Sequence, residues 1–293
     1  MKLVKSTIKS KKYYYLEHSY RYNNKVKKAR KYLGSIIPDN LEEIKAGLME
    51  FINRKKWYDE LDRIKKNFSN EFKKLPKKAR EKYLENFLIK FTYNTNRIEG
   101  STLTLKETAR LLEDGITPRN KPIKDVKEAE AHKAVFEELI KEKDDLSLKL
   151  VLEWHKKLFE NVDMEIAGRI RKHPVAIAGS KFEPPMSIEL NYLLREFFQW
   201  YKNHKNKLHS VELAALVHLK FVTIHPFTDG NGRISRLMMN FVMQRNGYPM
   251  PDIQYSNRNS YYNALERSQT KEKERIFVQY LIKRYLKEYK KYT

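Results

Sequence analysis

The sequence predicts an all-α fold: a helical bundle interrupted by one small β-hairpin, and preceded by a short basic β-hairpin and a long helix. Three observations carry this expectation. Apolar residues recur at steps of three and four from Asn40 onward, the period of a half-buried helix. Period-two alternation is confined to two short stretches, residues 11–33 and 169–185. The 293 residues are 41% hydrophobic and contain no cysteine. That apolar share excludes wholesale disorder, and the missing thiols exclude disulfide scaffolds, thiolate metal sites and cysteine nucleophiles.

The elements follow in order. Residues 11–20 hold Tyr13, Tyr14, Tyr15, Leu16 and Tyr20; Asn23 and Asn24 suit a tight turn; residues 25–33 alternate Val26, Ala29 and Leu33 with cations. This reads as a basic β-hairpin. Between Met1 and Pro38 eleven Lys and Arg face the single acid Glu17, a net +10 within a chain of net charge +23. A long amphipathic helix is expected from Asn40 through Leu41, Ile44, Leu48, Phe51, Tyr58, Leu61, Ile64, Phe68 and Phe72. Asp39 or Asn40 would cap it, and one gap in the period falls at Lys55. Pro76 breaks that helix. Helical pattern returns over 77–98, 104–113, 126–140 and 148–159. Residues 169–185 depart from it, with Val175, Ala176, Ile177 and Ala178, then Gly179-Ser180, and Pro184-Pro185 at the end. Helices are expected again over 187–204, 210–224, 231–245, 260–269 and 274–289. No apolar run approaches the ~18 residues that a membrane span needs. The basic N-terminus has no apolar stretch behind it, so it does not read as a secretory signal. A soluble, cytoplasmic protein with no membrane partner is expected.

The chemistry concentrates in residues 221–240. An apolar helix ends at His225-Pro226, and a second begins after Phe227-Thr228-Asp229-Gly230-Asn231-Gly232-Arg233. Gly230 and Gly232 allow close backbone approach to a ligand, and Asn231 tolerates left-handed geometry. The first N–H groups of the second helix have no intrahelical partner and form an anion site. Arg233 and Arg236, three apart, lie near one face and suit a polyphosphate. Asp229 beside that anion implies a hard cation, Mg²⁺. His225 can take a proton from a hydroxyl near neutral pH, and Phe227 anchors the loop in the core.

The string H-P-F-T-D-G-N-G-R-I-S-R, His225 to Arg236, resembles the signature of Fic-domain proteins, H-x-F-x-[DE]-G-N-G-R-x-x-R, with every fixed position present. The resemblance extends over about residues 77–293. It divides the chain into a basic hairpin module (1–38), a helical connector (39–76) and a catalytic domain (77–293). It implies an adenylyltransferase that moves AMP from Mg·ATP to a Ser, Thr or Tyr hydroxyl of a target protein, itself included. His225 would be the general base, and Asp229 would hold Mg²⁺. Gly230, Asn231 and Gly232 would cradle phosphates, Arg233 would bind phosphate, and Arg236 would reach the γ-phosphate. Upstream, Thr95-Asn96-Arg97-Ile98-Glu99-Gly100 resembles the family's inhibitory motif, [ST]-x-x-x-E-[GN], whose glutamate pairs with the second arginine. Residues 171–185 resemble the family's flap, with Ile177, Ala178, Gly179 and Ser180 as contacts for the target strand. Tyr261, Tyr262 and Gln269 match positions near the adenosine.

Two alternatives remain open at this level. Some glutamate-containing relatives remove AMP, with the glutamate positioning a water. The +10 segment also admits a nucleic-acid-binding regulator that carries a Fic core, and its Y-Y-Y-L-E-H-S-Y-R and K-Y-L-G strings resemble a strand-rich segment of some transposases. A homodimer is the oligomer that the amphipathic long helix admits.

Overall fold

The computed structural model describes residues 1–22 and 25–293, so the expected turn at Asn23 and Asn24 lies outside the described residues. The chain divides into two compact units, Met1–Arg63 with Thr293, and Ile64–Tyr292.

The first unit opens with a three-stranded antiparallel sheet rather than a two-stranded hairpin. Its strands are β1 (Lys2–Ile8), β2 (Lys11–Tyr22) and β3 (Lys25–Gly34), in that spatial order. β1 escapes a sequence reading because its turn carries no glycine or asparagine. Ile8 pairs with Lys11 across Lys9 and Ser10, which both take positive φ (49° and 63°). That is the two-residue geometry usually given to Asn-Gly. Leu16 and Ala29 are the buried positions of the sheet. The long helix exists in two parts, α1 (Leu41–Asn53) and α2 (Asp59–Lys74), joined by a π turn at Arg54–Tyr58. The gap in periodicity at Lys55 falls inside that turn. A π turn adds a residue, so the buried Ile52 and Trp57 stand five apart before Leu61 and Ile64 resume the stripe. Asn40 starts α1 without a side-chain cap on the backbone.

In the second unit, the end of α2 stacks Phe68 on Phe72, and both rings meet Tyr83. The helices α3 (Lys77–Ile98), α4 (Leu105–Asp114), α5 (Ile123–Lys141), α6 (Leu148–Phe159), α7 (Leu190–His204), α8 (Ser210–Ile224), α9 (Asn231–Arg245), α10 (Arg258–Thr270) and α11 (Arg275–Glu288) follow the expected order. Thr104 caps α4 with a complete capping box to Glu107, and Gly115 ends it in left-handed geometry. α9 is the axis of this unit. Ile234, Leu237, Met238, Met239, Phe241, Val242 and Met243 are all buried, against α3, α5, α6 and α8. Among the described residues no helix is long and apolar enough to cross a membrane.

The expected hairpin at 169–185 forms no strand. One turn is present: the Ser180 N–H donates to the Ile177 carbonyl at 3.1 Å, with Gly179 at φ +75°. Pro174 on one limb and Pro184 and Pro185 on the other have no N–H to give a ladder.

Candidate active site

α8 carries the apolar stripe that roots the site: Val211, Leu213, Leu216, Val217, Phe221 and Ile224 are buried. Pro226 ends the helix, and His225 takes left-handed geometry (φ 51°, ψ 56°) at its C-terminus. The His225 ring sits with Nδ1 3.2 Å from the Val222 carbonyl oxygen. A carbonyl only accepts, so Nδ1 carries the proton and Nε2 keeps its lone pair. Burial lowers the His225 pKa below the ordinary histidine value; Arg171 adds to this, while the Val222 carbonyl, Glu99 and Asp229 oppose it. The imidazole is therefore held neutral, the form a base requires.

The turn that follows is braced at both ends. Phe227, 1% exposed, stacks on His155 with ring centroids 3.7 Å apart. The Phe227 N–H donates to Asn231 Oδ1 at 2.9 Å, and Asn231 Nδ2 donates to the Phe227 carbonyl at 2.8 Å. Asn231 is thus a buried clamp whose side-chain amide is engaged by the loop. The left-handed residue of the turn is Gly230 (φ +81°), not Asn231, which begins α9. A side chain at Gly230 would lie 2.5 Å from Phe159 Cε2. Gly232 is needed for a different reason: a Cβ there would collide with the Glu99 carboxylate.

Both arginines are buried and ion-paired. Arg233 Nη1 lies 3.0 Å from Glu128 Oε1, and its Nη2 lies 3.2 Å from Asp229 Oδ1. Arg236 donates from Nε to Thr95 Oγ1 (2.7 Å), from Nη1 to the Tyr261 hydroxyl (3.3 Å), and from Nη2 to Glu99 Oε1 (2.5 Å). Arg236 is 1% exposed on its side chain and Glu99 27%. The two motifs read separately from the sequence, at Thr95–Gly100 and at the signature, therefore meet in one ion pair.

The adenosine-side candidates separate. Tyr261 is a buried strut: its hydroxyl accepts from Arg236 and lies 3.0 Å from His218 Nε2. Tyr262 is 44% exposed and donates to the Ile98 carbonyl, at the end of the helix that carries Glu99. Gln269 donates to Thr223 Oγ1 at 3.1 Å and lines a cleft of about 940 Å³ with Thr223, Ile224, Phe197 and Leu219. Ile177, Ala178, Gly179 and Ser180 form the turn of the 169–185 segment, with Ala178 and Gly179 exposed.

Three residues of this constellation escape the sequence. Glu128 neutralises Arg233 from α5, where Asp125, Glu128 and His132 occupy a buried face at three- and four-residue spacing. That polar face within an apolar helix was the available signal. His155 bridges two segments: its Nδ1 accepts from the Gly168 N–H (2.9 Å), and its Nε2 donates to the Asp229 carbonyl (3.1 Å). Burial lowers its pKa to about 4, so it stays neutral. Arg171, 3% exposed, donates to three carbonyls, those of His225 (2.8 Å), His173 (2.9 Å) and Pro185 (2.7 Å). It ties the His225 backbone to both limbs of the 169–185 segment.

Among the described residues no group of three His, Asp or Glu could hold a metal by itself. Asp229 is 44% exposed, and its contacts with the Gly230 N–H and Arg233 use Oδ1. The remaining oxygen fits a cation that brings phosphate and water as its other ligands, the usual manner of Mg²⁺.

This geometry has relatives. Residues 145–243 match the family model described as the Fic/DOC family. A solved Fic domain containing signaling protein from Bacteroides thetaiotaomicron is 30% identical, with a TM-score of 0.69, and the match covers 78% of this chain and 95% of that one. The chain belongs to the Fic family. Fic-1 (aa134 - 508) from C. elegans superposes on this Fic chain with a TM-score of 0.71 at 29% identity, over 86% of this chain and 75% of that one. Among curated relatives, Protein adenylyltransferase Fic of Drosophila yakuba is 38% identical over 179 residues, 59% of this chain. The Aedes aegypti protein of the same name is 32% identical over 229 residues, 75% of this chain. The match spans 36% of the length of the Drosophila relative and 44% of the Aedes one.

Proposed function

We propose that this Fic-family chain is a protein adenylyltransferase that moves AMP from Mg·ATP to a Ser, Thr or Tyr hydroxyl of a protein, its own chain included, and is restrained by Glu99. The observation that carries the reading is the convergence on the N-terminus of α9. The N–H groups of Asn231, Gly232 and Arg233, the Arg236 guanidinium and the unprotonated Nε2 of His225 all belong to one turn and its flanks. The names of the curated relatives support the same reaction class.

The residues divide the chemistry as follows. His225 Nε2 takes the proton of the target hydroxyl. The hydroxyl oxygen attacks the α-phosphorus, the bond from that phosphorus to the bridging oxygen breaks, and pyrophosphate leaves. The helix N-terminus and Arg236 offset the charge that develops on the leaving group. Asp229 would hold Mg²⁺, which when bound neutralises phosphate charge. The exposed turn at Ile177 to Ser180 would align the target segment by backbone pairing. Arg171 would hold that segment in register with His225.

Restraint follows from competition for one arginine. Glu99 holds the Nη2 that a γ-phosphate needs, and a carboxylate and a phosphate cannot share that donor closely. A nucleotide bound beside Glu99 is left with its α-phosphate out of line.

The test is a pair of labelled nucleotides given to the Glu99→Gly variant. Label in the α-phosphate is expected on protein, and label in the γ-phosphate is expected only in released pyrophosphate. Transfer of the γ label to protein would make the reaction phosphorylation and overturn the proposal.

A further inference from the structure

Both faces of the N-terminal sheet carry tyrosines and cations, but they differ in burial. In an antiparallel ladder, residues directly opposite share a face. Tyr15 stands opposite Val4 and Tyr32, Glu17 opposite Lys2 and Arg30, Ser19 opposite Lys28, and Arg21 opposite Val26. One face therefore carries Tyr13, Tyr15 and Tyr32 together with Lys2, Lys11, Arg21, Lys28 and Arg30. Glu17 is its single acid and pairs with Lys28 at 3.4 Å, which leaves Lys2, Lys11, Arg21 and Arg30 to meet phosphates. The buried Leu16 and Ala29 belong to the other face.

The tyrosines form one cluster. Tyr32 lies 5.3 Å from Tyr15 and 6.2 Å from Tyr13 between ring centroids. The Arg30 guanidinium sits 3.8 Å over the Tyr15 ring. Tyr32 is 53% exposed, and Val26 at the far end of the face is 67% exposed. Large aromatic rings gathered on an open sheet face, bordered by cations, do not contribute to a core. They offer flat surfaces inside a positive field.

We propose that this face binds single-stranded nucleic acid. The cations match the phosphate backbone, and the rings match unstacked bases. A duplex hides the faces of its bases and would leave the tyrosines idle. An acidic protein segment would use the cations alone. The ring cluster is what favours a single strand. The site is independent of the nucleotide chemistry at His225, and the reading does not rest on it.

The test uses the full chain and a fluorescein-labelled oligothymidylate of about 15 nucleotides, read by anisotropy. Four phosphate contacts on a single strand give a slope of log affinity against log salt near −3, or roughly a 50-fold loss between about 50 and 200 mM. Tyr32→Ala is expected to weaken binding roughly 5- to 150-fold, the effect of one lost stacking partner, with the salt slope unchanged. Tyr32→Phe keeps the ring and is expected to bind as wild type does, which separates stacking from misfolding. Arg21→Ala should make the slope shallower by about 0.7. Absence of binding at low salt overturns the proposal. So does tighter binding to a duplex of equal length with Tyr32→Ala neutral, or displacement by polyglutamate as efficient as by unlabelled oligothymidylate.

Discussion

Removing the Glu99 side chain should release the proposed AMP transfer, and the size of the release can be worked from the pair. Glu99 Oε1 lies 2.5 Å from Arg236 Nη2; the arginine is 1% exposed and the glutamate 27%. Unit charges about 4 Å apart at an effective dielectric near 20 attract by about 4 kcal/mol, an upper limit here because Glu99 reaches solvent. A charge-assisted hydrogen bond of this kind has a net value of about 1.5–3 kcal/mol. A γ-phosphate must displace it, so Glu99→Gly should raise productive binding by about 2–3 kcal/mol, or roughly 30- to 150-fold. Glu99→Gln, which keeps a polar contact but no charge, should fall between the two. Position 99 is the C-cap of α3, where glycine strains nothing. The assay is the initial rate of AMP incorporation into the chain itself, with thermal unfolding as a control. A Glu99→Gly rate within about threefold of wild type in folded protein would show that Glu99 does not compete with nucleotide for Arg236.

Other consequences follow from the same geometry. Because burial lowers the His225 pKa, the rise of kcat/KM with pH should have its midpoint below the ordinary histidine value of 6.5; a midpoint above it would contradict a buried neutral base. Arg171→Lys cannot reach three carbonyls at once and should lower kcat about 10-fold or more while leaving nucleotide binding unchanged, measured by comparing turnover with ATP affinity. Gly230→Ala combines a φ of +81° with a collision against Phe159. It should cost about 2–4 kcal/mol, a fall in Tm of roughly 4–15 °C by calorimetry, and an unchanged Tm would argue against the turn as described. Burial holds His132 near about 3 and His155 near about 4, so between those values and pH 6.5 the unfolded chain binds protons that the folded chain does not. Stability should be complete above about pH 6.5 and decline on acidification by about 1 kcal/mol per pH unit for each such histidine. His132→Gln should flatten that decline.

What the sequence made legible is what short range decides. The limits of α6, α8 and α9 follow from apolar periodicity and the break at Pro226, and the residues of the α9 turn are contiguous. Glu99 was legible only through its resemblance to a motif, since nothing local places it against Arg236, 137 residues later. Glu128, His155 and Arg171 were not legible because their partners are distant in the chain. Each is a polar side chain buried to satisfy something elsewhere. β1 is not legible in the sequence because Lys9 and Ser10 adopt a conformation their side chains disfavour. The 169–185 ladder was expected from alternation, and its three prolines outweighed it. The sequence places Asn231 in a glycine-rich turn, but that its side-chain amide also closes the loop on Phe227 is decided by the fold.

In the proposed reaction His225 and the α9 turn transfer AMP to a protein hydroxyl. Intact-mass and tandem spectrometry of the Glu99→Gly protein after incubation with Mg·ATP tests it most directly. The expected result is a mass increase in multiples of one adenylyl group (AMP less water) located on Ser, Thr or Tyr, and none when His225→Ala is added to the same variant. An unmodified Glu99→Gly protein, or modification that persists without His225, would contradict it.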